Sequence, residues 1–254
     1  GQYYADGYGY GDGDGNGLGD GNGNVWCGIR DEADSEPSVV ELLVENGPGT
    51  DDDEWDPFGD QFEPGIFSSA DVRELAMDAS GRLWLVYDRN GVDVWDYGDY
   101  TTTDDDELVH YGAVDGLPSD AVRALYLGAD GRMWLGGDNG MAVLEPGSDS
   151  WSEVEGFPSD RVNDIAGDAQ GHVWAATDDG VVWLYSSGEI AGLYDSVSGL
   201  AEDLVTHIAV DQTDGTVWAV SEDGATGETQ LNVLESGFGP TPSGWPWHFC
   251  FSWQ

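Results

Sequence analysis

The chain has 254 residues, with 51 Asp and Glu against 7 Arg and no Lys, for a formal net charge of −44. Such a charge repels nucleic acid and anionic lipid and excludes both as partners. No apolar run is long enough to span a membrane, and the length suits a single all-β domain.

The N-terminal stretch, residues 1–19, is rich in Gly and Asp and offers little apolar surface beyond Tyr3, Tyr4, Tyr8, Tyr10 and Leu18. It reads as an arm that does not fold alone. Asp12, Asp14, Asn16 and Gly17 match positions 1, 3, 5 and 6 of an EF-hand-type calcium loop, and Asp20 adds a further oxygen ligand. Position 12 of that pattern is Gly23 rather than Glu, and no helical pattern flanks it. A Ca²⁺ site and a flexible tether are both open. The arm lacks a Val-x-x-Leu pair, so the first repeat is expected to lack its own innermost strand.

From residue 20 onward one pattern recurs. A glycine, two further residues and a tryptophan appear as Gly23–Trp26, Gly81–Trp84, Gly131–Trp134, Gly171–Trp174 and Gly215–Trp218. Ahead of four copies stands an apolar pair three apart: Val72 and Leu75, Val122 and Leu125, Val162 and Ile165, Val205 and Ile208. These segments are too short for helices and end in Gly/Asp turns, so they read as strands. The strand carrying the tryptophan is followed by Asn90-Gly91, Asn139-Gly140, Asp179-Gly180 or Asp223-Gly224, pairs that supply the φ > 0 positions of tight hairpins. A third apolar strand and a more polar fourth complete each unit. Four antiparallel strands recurring every 40–50 residues are the signature of a β-propeller blade. Five motifs predict an all-β, five-bladed propeller over residues 20–254. The five motif tryptophans, together with Trp95 and Trp183 on third strands, are assigned to its core.

The residues Gly116-Leu117-Pro118-Ser119-Asp120-Ala121-Val122, followed by Asp130-Gly131-Arg132-Met133-Trp134 and Asn139-Gly140-Met141, resemble the two-component-regulator propeller repeat. Gly156-Phe157-Pro158-Ser159-Asp160-Arg161-Val162 repeats the opening. The resemblance spans about residues 20–237. It implies a propeller fold and carries no catalytic residues. Its family often joins such propellers to kinases. No kinase segment is present, so no signalling role is carried over.

The chain ends in Trp247-His248-Phe249-Cys250-Phe251-Ser252-Trp253. This aromatic segment is expected either to fill the first blade or to close the fifth. The two cysteines, Cys27 and Cys250, lie in the first motif and the last strand. Ring closure would bring them together, and a disulfide there would stabilise the fold by ~4–5 kcal/mol in the chain-entropy model. Two buried free thiols are the alternative. A disulfide, and a chain that starts at Gly1, both suit an exported protein.

Three explanations of the acidity stay open: a salt-rich environment that screens repulsion, Ca²⁺ held in Asp-rich turns, and a solubility coat. Acidic runs occupy residues 51–54 and 104–107, and Thr101, Thr102 and Thr103 offer hydroxyls for O-linked sugars. His110, His172, His207 and His248 have no ligand spacing; His207, on an inner strand, reads as a packed strand histidine, with a place facing the central channel as the alternative. No nucleophile elbow, phosphate loop or Cys-x-x-Cys occurs. With 51 acids, a nearby carboxylate pair carries no information. The sequence therefore predicts a non-enzymatic, extracellular or cell-surface propeller, a structural or adhesive module that self-associates through its arm or its aromatic tail. The alternative is a carbohydrate-binding or carbohydrate-cleaving propeller using acids and aromatics at one mouth of the ring.

Overall fold

A computed structural model describes residues 16–19, 25–29, 39–44, 54–57, 72–96, 107–234 and 248–252, with side chains described over 72–96 and 107–234. Among the described residues, apart from one 3₁₀ turn, Ala113–Asp115, every regular element is a strand. The chain divides into two compact units, Gly1–Gly112 and Ala113–Gln254.

The first unit holds two four-stranded antiparallel sheets. One runs β1 (Asn16–Gly19), β2 (Val25–Ile29), β3 (Val39–Val44), β4 (Glu54–Pro57). The other runs β5 (Val72–Met77), β6 (Leu83–Tyr87), β7 (Val92–Asp96), β8 (Glu107–Tyr111). Strand β1 corrects the sequence analysis, because the first repeat does have its own first strand. Asn16 pairs with Gly28 and Leu18 with Trp26. Ladder hydrogen bonds are backbone bonds, so a glycine-rich segment can join a sheet without an apolar pair of its own.

The second unit holds three such sheets, each of consecutive strands in sequence order. They are β9 (Val122–Leu127) to β12 (Ser152–Glu153), with β10 (Met133–Gly137) and β11 (Gly140–Leu144) between; β13 (Val162–Gly167), β14 (Val173–Thr177), β15 (Gly180–Leu184) and β16 (Ile190–Tyr194); and β17 (Val205–Val210), β18 (Val217–Glu222), β19 (Thr229–Leu234) and β20 (His248–Ser252). The aromatic tail is β20, which pairs antiparallel with β19 and completes the last sheet from its outer side. In this unit the first strands pack side by side, β9 on β13 and β13 on β17. First strands carry a bulge just after their leading valine, between Val72 and Glu74, Val162 and Asp164, and Val205 and His207.

Strand periodicity sets the packing. On β14, Val173 and Ala175 face back into a cluster with Trp134, Met141 and Val143 of the preceding sheet. Trp174 and Ala176 face forward into a cluster with Val205, Ile208, Val217 and Ala219 of the following one. Residues two apart share a face, so each middle sheet is apolar on both sides. The hairpin glycine Gly180 has φ 126°, and a Cβ there would collide with the Tyr194 carbonyl, so only glycine fits. Trp84, Trp95, Trp134, Trp174 and Trp183 are buried as expected. Trp218 is not, being 40% exposed. It faces forward from the last sheet of its unit, where no further sheet of that unit follows.

Candidate functional site

The two ends of the sheets carry the ordered polar groups. At one end, the Asp-x-x-Gly turn explains the recurring motif. Asp78 Oδ1 accepts from the backbone N–H of Ser80 (2.9 Å) and Arg82 (3.1 Å). Its Oδ2 accepts from Arg82 Nε (2.7 Å) and Trp84 Nε1 (3.2 Å). Burial pushes the Asp78 carboxyl up, but the hydrogen bonds from Arg82 and Trp84 prevail and hold it below its usual range. Asp168 repeats the turn with Gln170, His172 and the His172 ring, whose Nδ1 lies 2.7 Å from Oδ2. That ring also meets Trp183 edge-on, with centroids 5.1 Å apart, beside the exposed Tyr185.

At the other end, the Pro158-Ser159-Asp160 loop latches its sheet to the preceding one. Ser159 Oγ accepts from Arg161 N and donates to Asp179 Oδ2 at 2.8 Å. The Asp160 carbonyl accepts from the N–H groups of Asn139 and Gly140 on the preceding hairpin. A chain of charges crosses the same end: Arg123 Nε to Asp138 Oδ1 (2.9 Å), Arg161 Nε to the same oxygen (3.1 Å), and Arg161 Nη1 to Asp178 Oδ2 (3.7 Å). Arg123, foremost, and Arg161 hold the Asp138 carboxyl below its usual range against a smaller opposing effect of burial. Between sheets, Asn163 donates to the Val205 carbonyl (2.9 Å), while Asp164 Oδ2 accepts from Ile208 N–H (2.9 Å). These two side chains satisfy backbone groups on the open edge of the next first strand. Sequence inspection treated the Pro-Ser-Asp stretch only as a repeat signature. Its pairing is with the hairpin of the preceding sheet, which spacing within one repeat does not reveal.

Many aspartates serve turns. The carboxyls of Asp195, Asp211 and Asp223 are held low by hydrogen bonds from Ser198, from Thr213, and from Ala225 and Thr226. Asp120 and Asp203 each accept from an N–H seven residues back, on Ala113 and Ser196, both at 2.7 Å. Part of the acidity is thus turn chemistry, which needs the short Asp side chain rather than Glu.

Of the proposed calcium ligands, Asp12, Asp14 and Asp20 lie outside the described residues, and Asn16 opens β1. Cys27 sits in β2 and Cys250 in β20. The acidic runs contribute Glu54 to β4 and Glu107 to β8; their other members, with Thr101–Thr103, lie outside the description. His110 Nδ1 lies 2.7 Å from the fully buried Asp93, which also accepts from Tyr87 Oη at 2.8 Å. His207 corrects its assignment as a packed residue: it is exposed on β17, with Nδ1 3.0 Å from Thr206 Oγ1. Beyond the bulge its side chain leaves the cluster that Val205 and Ile208 join. Among the described residues no group of three or more His, Cys, Asp or Glu is placed to hold a metal, and no helix is long and apolar enough to cross a membrane.

Residues 116–139 and 156–179 match the model of the two component regulator propeller. The fold is that of a β-propeller. Solved structures agree with the propeller assignment. PorZ, an essential bacterial surface component of the type-IX secretion system of Porphyromonas gingivalis, is 17% identical with a TM-score of 0.60, over 77% of this chain and 29% of its own. The extracellular domain of the putative hybrid two component system BT3049 from B. thetaiotaomicron is 19% identical with a TM-score of 0.52, over 86% of this chain and 32% of its own. Virginiamycin B lyase from Staphylococcus aureus is 16% identical with a TM-score of 0.54, over 88% of this chain and 66% of its own. The propeller chain thus spans about a third of the length of the first two. At these identities the likeness concerns fold, and the fold hosts enzymes and non-enzymes alike. No curated protein matches the chain in sequence.

Proposed function

We propose that the five four-stranded sheets are five propeller blades and that the chain is a non-enzymatic module of an extracellular or cell-surface structure. The observation that carries this is the use of the ordered polar groups. In the described residues the Pro-Ser-Asp loops, the Asp turns and the Arg–Asp chain bind one another, within and between sheets, and so build a rigid scaffold. Similar propellers are described as a surface component and as an extracellular domain, which supports the location. In this proposal Cys27 and Cys250 form a disulfide joining the first sheet to the last. The arm self-associates with neighbouring copies and holds Ca²⁺ through Asp12, Asp14, Asn16 and Asp20, with Asn16 presented at the start of β1.

Protease shaving of intact cells, followed by immunogold electron microscopy, tests the location. Labelled, protease-sensitive surface material is expected, and protein confined to the cytoplasm refutes the reading. Deleting residues 1–15, which spares β1, should leave the sheets folded and weaken self-association. A carbohydrate-binding reading is favoured by the exposed Tyr185 beside His172 and Trp183, since exposed aromatic edges suit sugar rings. A glycan array with wild type and Tyr185→Ala checks it.

A further inference from the structure

We propose that the outer edge of β16, in the middle sheet of the second unit, receives residues 7–11 from the arm of a second copy of this chain as an added strand. The inference rests on the arm-mediated self-association read above and names the surface that the arm takes.

The first support is the edge itself. β16 is the last strand of its sheet, and among the described residues no strand lies on its outer side. Val181 pairs with Tyr194, Val182 with Leu193 and Trp183 with Gly192, and the register shift of β16 falls beyond Gly192. The Tyr194 carbonyl points inward, against Gly180 at the start of β15. In an antiparallel ladder the next residue turns its backbone the other way, so the N–H and C=O of Leu193 point outward, where an added strand pairs with them. The Leu193 side chain is itself 38% exposed. Native sheets guard such edges with charge, proline or short length. Of the outer strands described with side chains, β8 carries Glu107 and His110, and β12 is two residues long with Glu153 as one of them. β16 reads Ile190-Ala191-Gly192-Leu193-Tyr194, without charge or proline.

The second support is what the arm offers. Residues 7–11 read Gly-Tyr-Gly-Tyr-Gly. As a strand, this alternation sets Tyr8 and Tyr10 on one face and the glycines on the other, with the tyrosines at cross-strand distance from side chains such as Leu193. The chain already builds one strand of this kind: β1, Asn16-Gly17-Leu18-Gly19, alternates in the same way and pairs with β2 along its whole length. Residues 1–15 reach at most ~50 Å beyond β1 when extended, enough to leave their own sheet for a neighbouring copy. The third support is charge. In a chain of net charge −44, residues 7–11 and 190–194 carry no charge, so this contact escapes the repulsion that opposes the meeting of acidic surfaces. β16 lies at the opposite edge of its sheet from β13, the strand whose packing joins successive sheets, so an added strand leaves that joint undisturbed. An arm given to one neighbour and an edge offered to another make a heterologous contact, which propagates into a filament or closes into a ring of copies.

The test is sedimentation equilibrium in molar NaCl, which screens the −44 charge, for wild type, the 1–15 deletion, Leu193→Pro, Leu193→Asp and a control, Val114→Asp. Leu193→Pro removes an outward N–H, and Leu193→Asp places a charge on the edge. Val114 is 97% exposed in the 3₁₀ turn, away from β16. Concentration-dependent association is expected for wild type. The deletion and both edge variants should raise the self-association Kd at least about tenfold, while Val114→Asp leaves it unchanged. Should Leu193→Pro not fold by circular dichroism, Leu193→Asp at the same exposed position gives the decisive comparison. In parallel, wild-type chains with Tyr8 replaced by the photocrosslinker p-benzoylphenylalanine are irradiated as a mixture of isotopically light and heavy copies. Cross-links between copies, from residue 8 to residues 190–194, are expected. Cross-links confined to one copy, or landing on another outer strand such as β20, overturn the proposal. Association lost in the deletion but unaltered in both edge variants refutes the β16 site and leaves the arm as a contact elsewhere. A strictly monomeric wild type, or association unaltered by the deletion, refutes the arm reading and the site together.

Discussion

Trp174 and Trp218 occupy equivalent places in consecutive sheets, follow the same glycine motif and pair across the same kind of hairpin. One is buried and the other is half in solvent. The difference lies in what comes next along the chain. Trp174 is followed within its unit by a sheet whose Val205, Ile208 and Val217 receive it, and Trp218 is followed by none. A repeat motif thus specifies an orientation, while burial is supplied by the neighbour.

Replacing each tryptophan with alanine tests this contrast most severely. Trp174→Ala is expected to cost about 3–5 kcal/mol, because it empties a closed core. Trp218→Ala in the monomer should cost under about 1.5 kcal/mol, since its ring has less to lose. Urea denaturation at low protein concentration measures both, and equal losses would break the comparison. Next in size, Asp164→Ala removes the acceptor of Ile208 N–H at the closed joint and should cost about 1–3 kcal/mol. At the equivalent position on the open face, His207→Ala should be within about 0.5 kcal/mol of wild type. Molar NaCl should raise Tm by roughly 5 °C through screening of the charge. A further rise with millimolar Ca²⁺ at constant ionic strength would assign part of the effect to bound ions.

The smallest effect concerns pH. Asp138 is held low by Arg123 and Arg161, so its folded-state pKa lies below the unfolded one. Its stabilisation is present above the unfolded carboxylate value and is lost as pH falls through the folded one. Asp138→Asn should abolish that portion of the acid sensitivity. The pair is surface-exposed, so the effect should be no more than about 1 kcal/mol. Thermal melts between pH 6 and pH 3 measure it, and identical acid profiles for variant and wild type would remove Asp138 from the account.

Much of the architecture was legible because the signals are local. The hairpin pairs such as Asp179-Gly180 mark turns, Val-x-x-Ile marks a short first strand, and the tryptophan marks the second. Strand β1 escaped because a backbone ladder leaves no mark on a Gly/Asn sequence. Trp218 was misassigned because covering is a relation between sheets, and a motif carries no information about its neighbour. His207 escaped for a related reason: the bulge after Val205 shifts it off the period-two count that would pack it. The links by Asn163 and Asp164 join residues 42 and 44 positions apart, beyond any pattern read within one repeat.

Those links also bear on how such a chain lengthens. The middle sheet of the second unit brings a loop that holds the hairpin behind it, through the Asp160 carbonyl, and sends Asn163 and Asp164 to the strand ahead. A stretch of roughly 40 residues therefore contains both halves of a joint, plug and socket together. Duplicating that stretch in the gene would insert a sheet already fitted to its neighbours, with no compensating substitution elsewhere. Drift would then be free at positions outside the joint. The number of sheets in such a chain then becomes a matter of copy count.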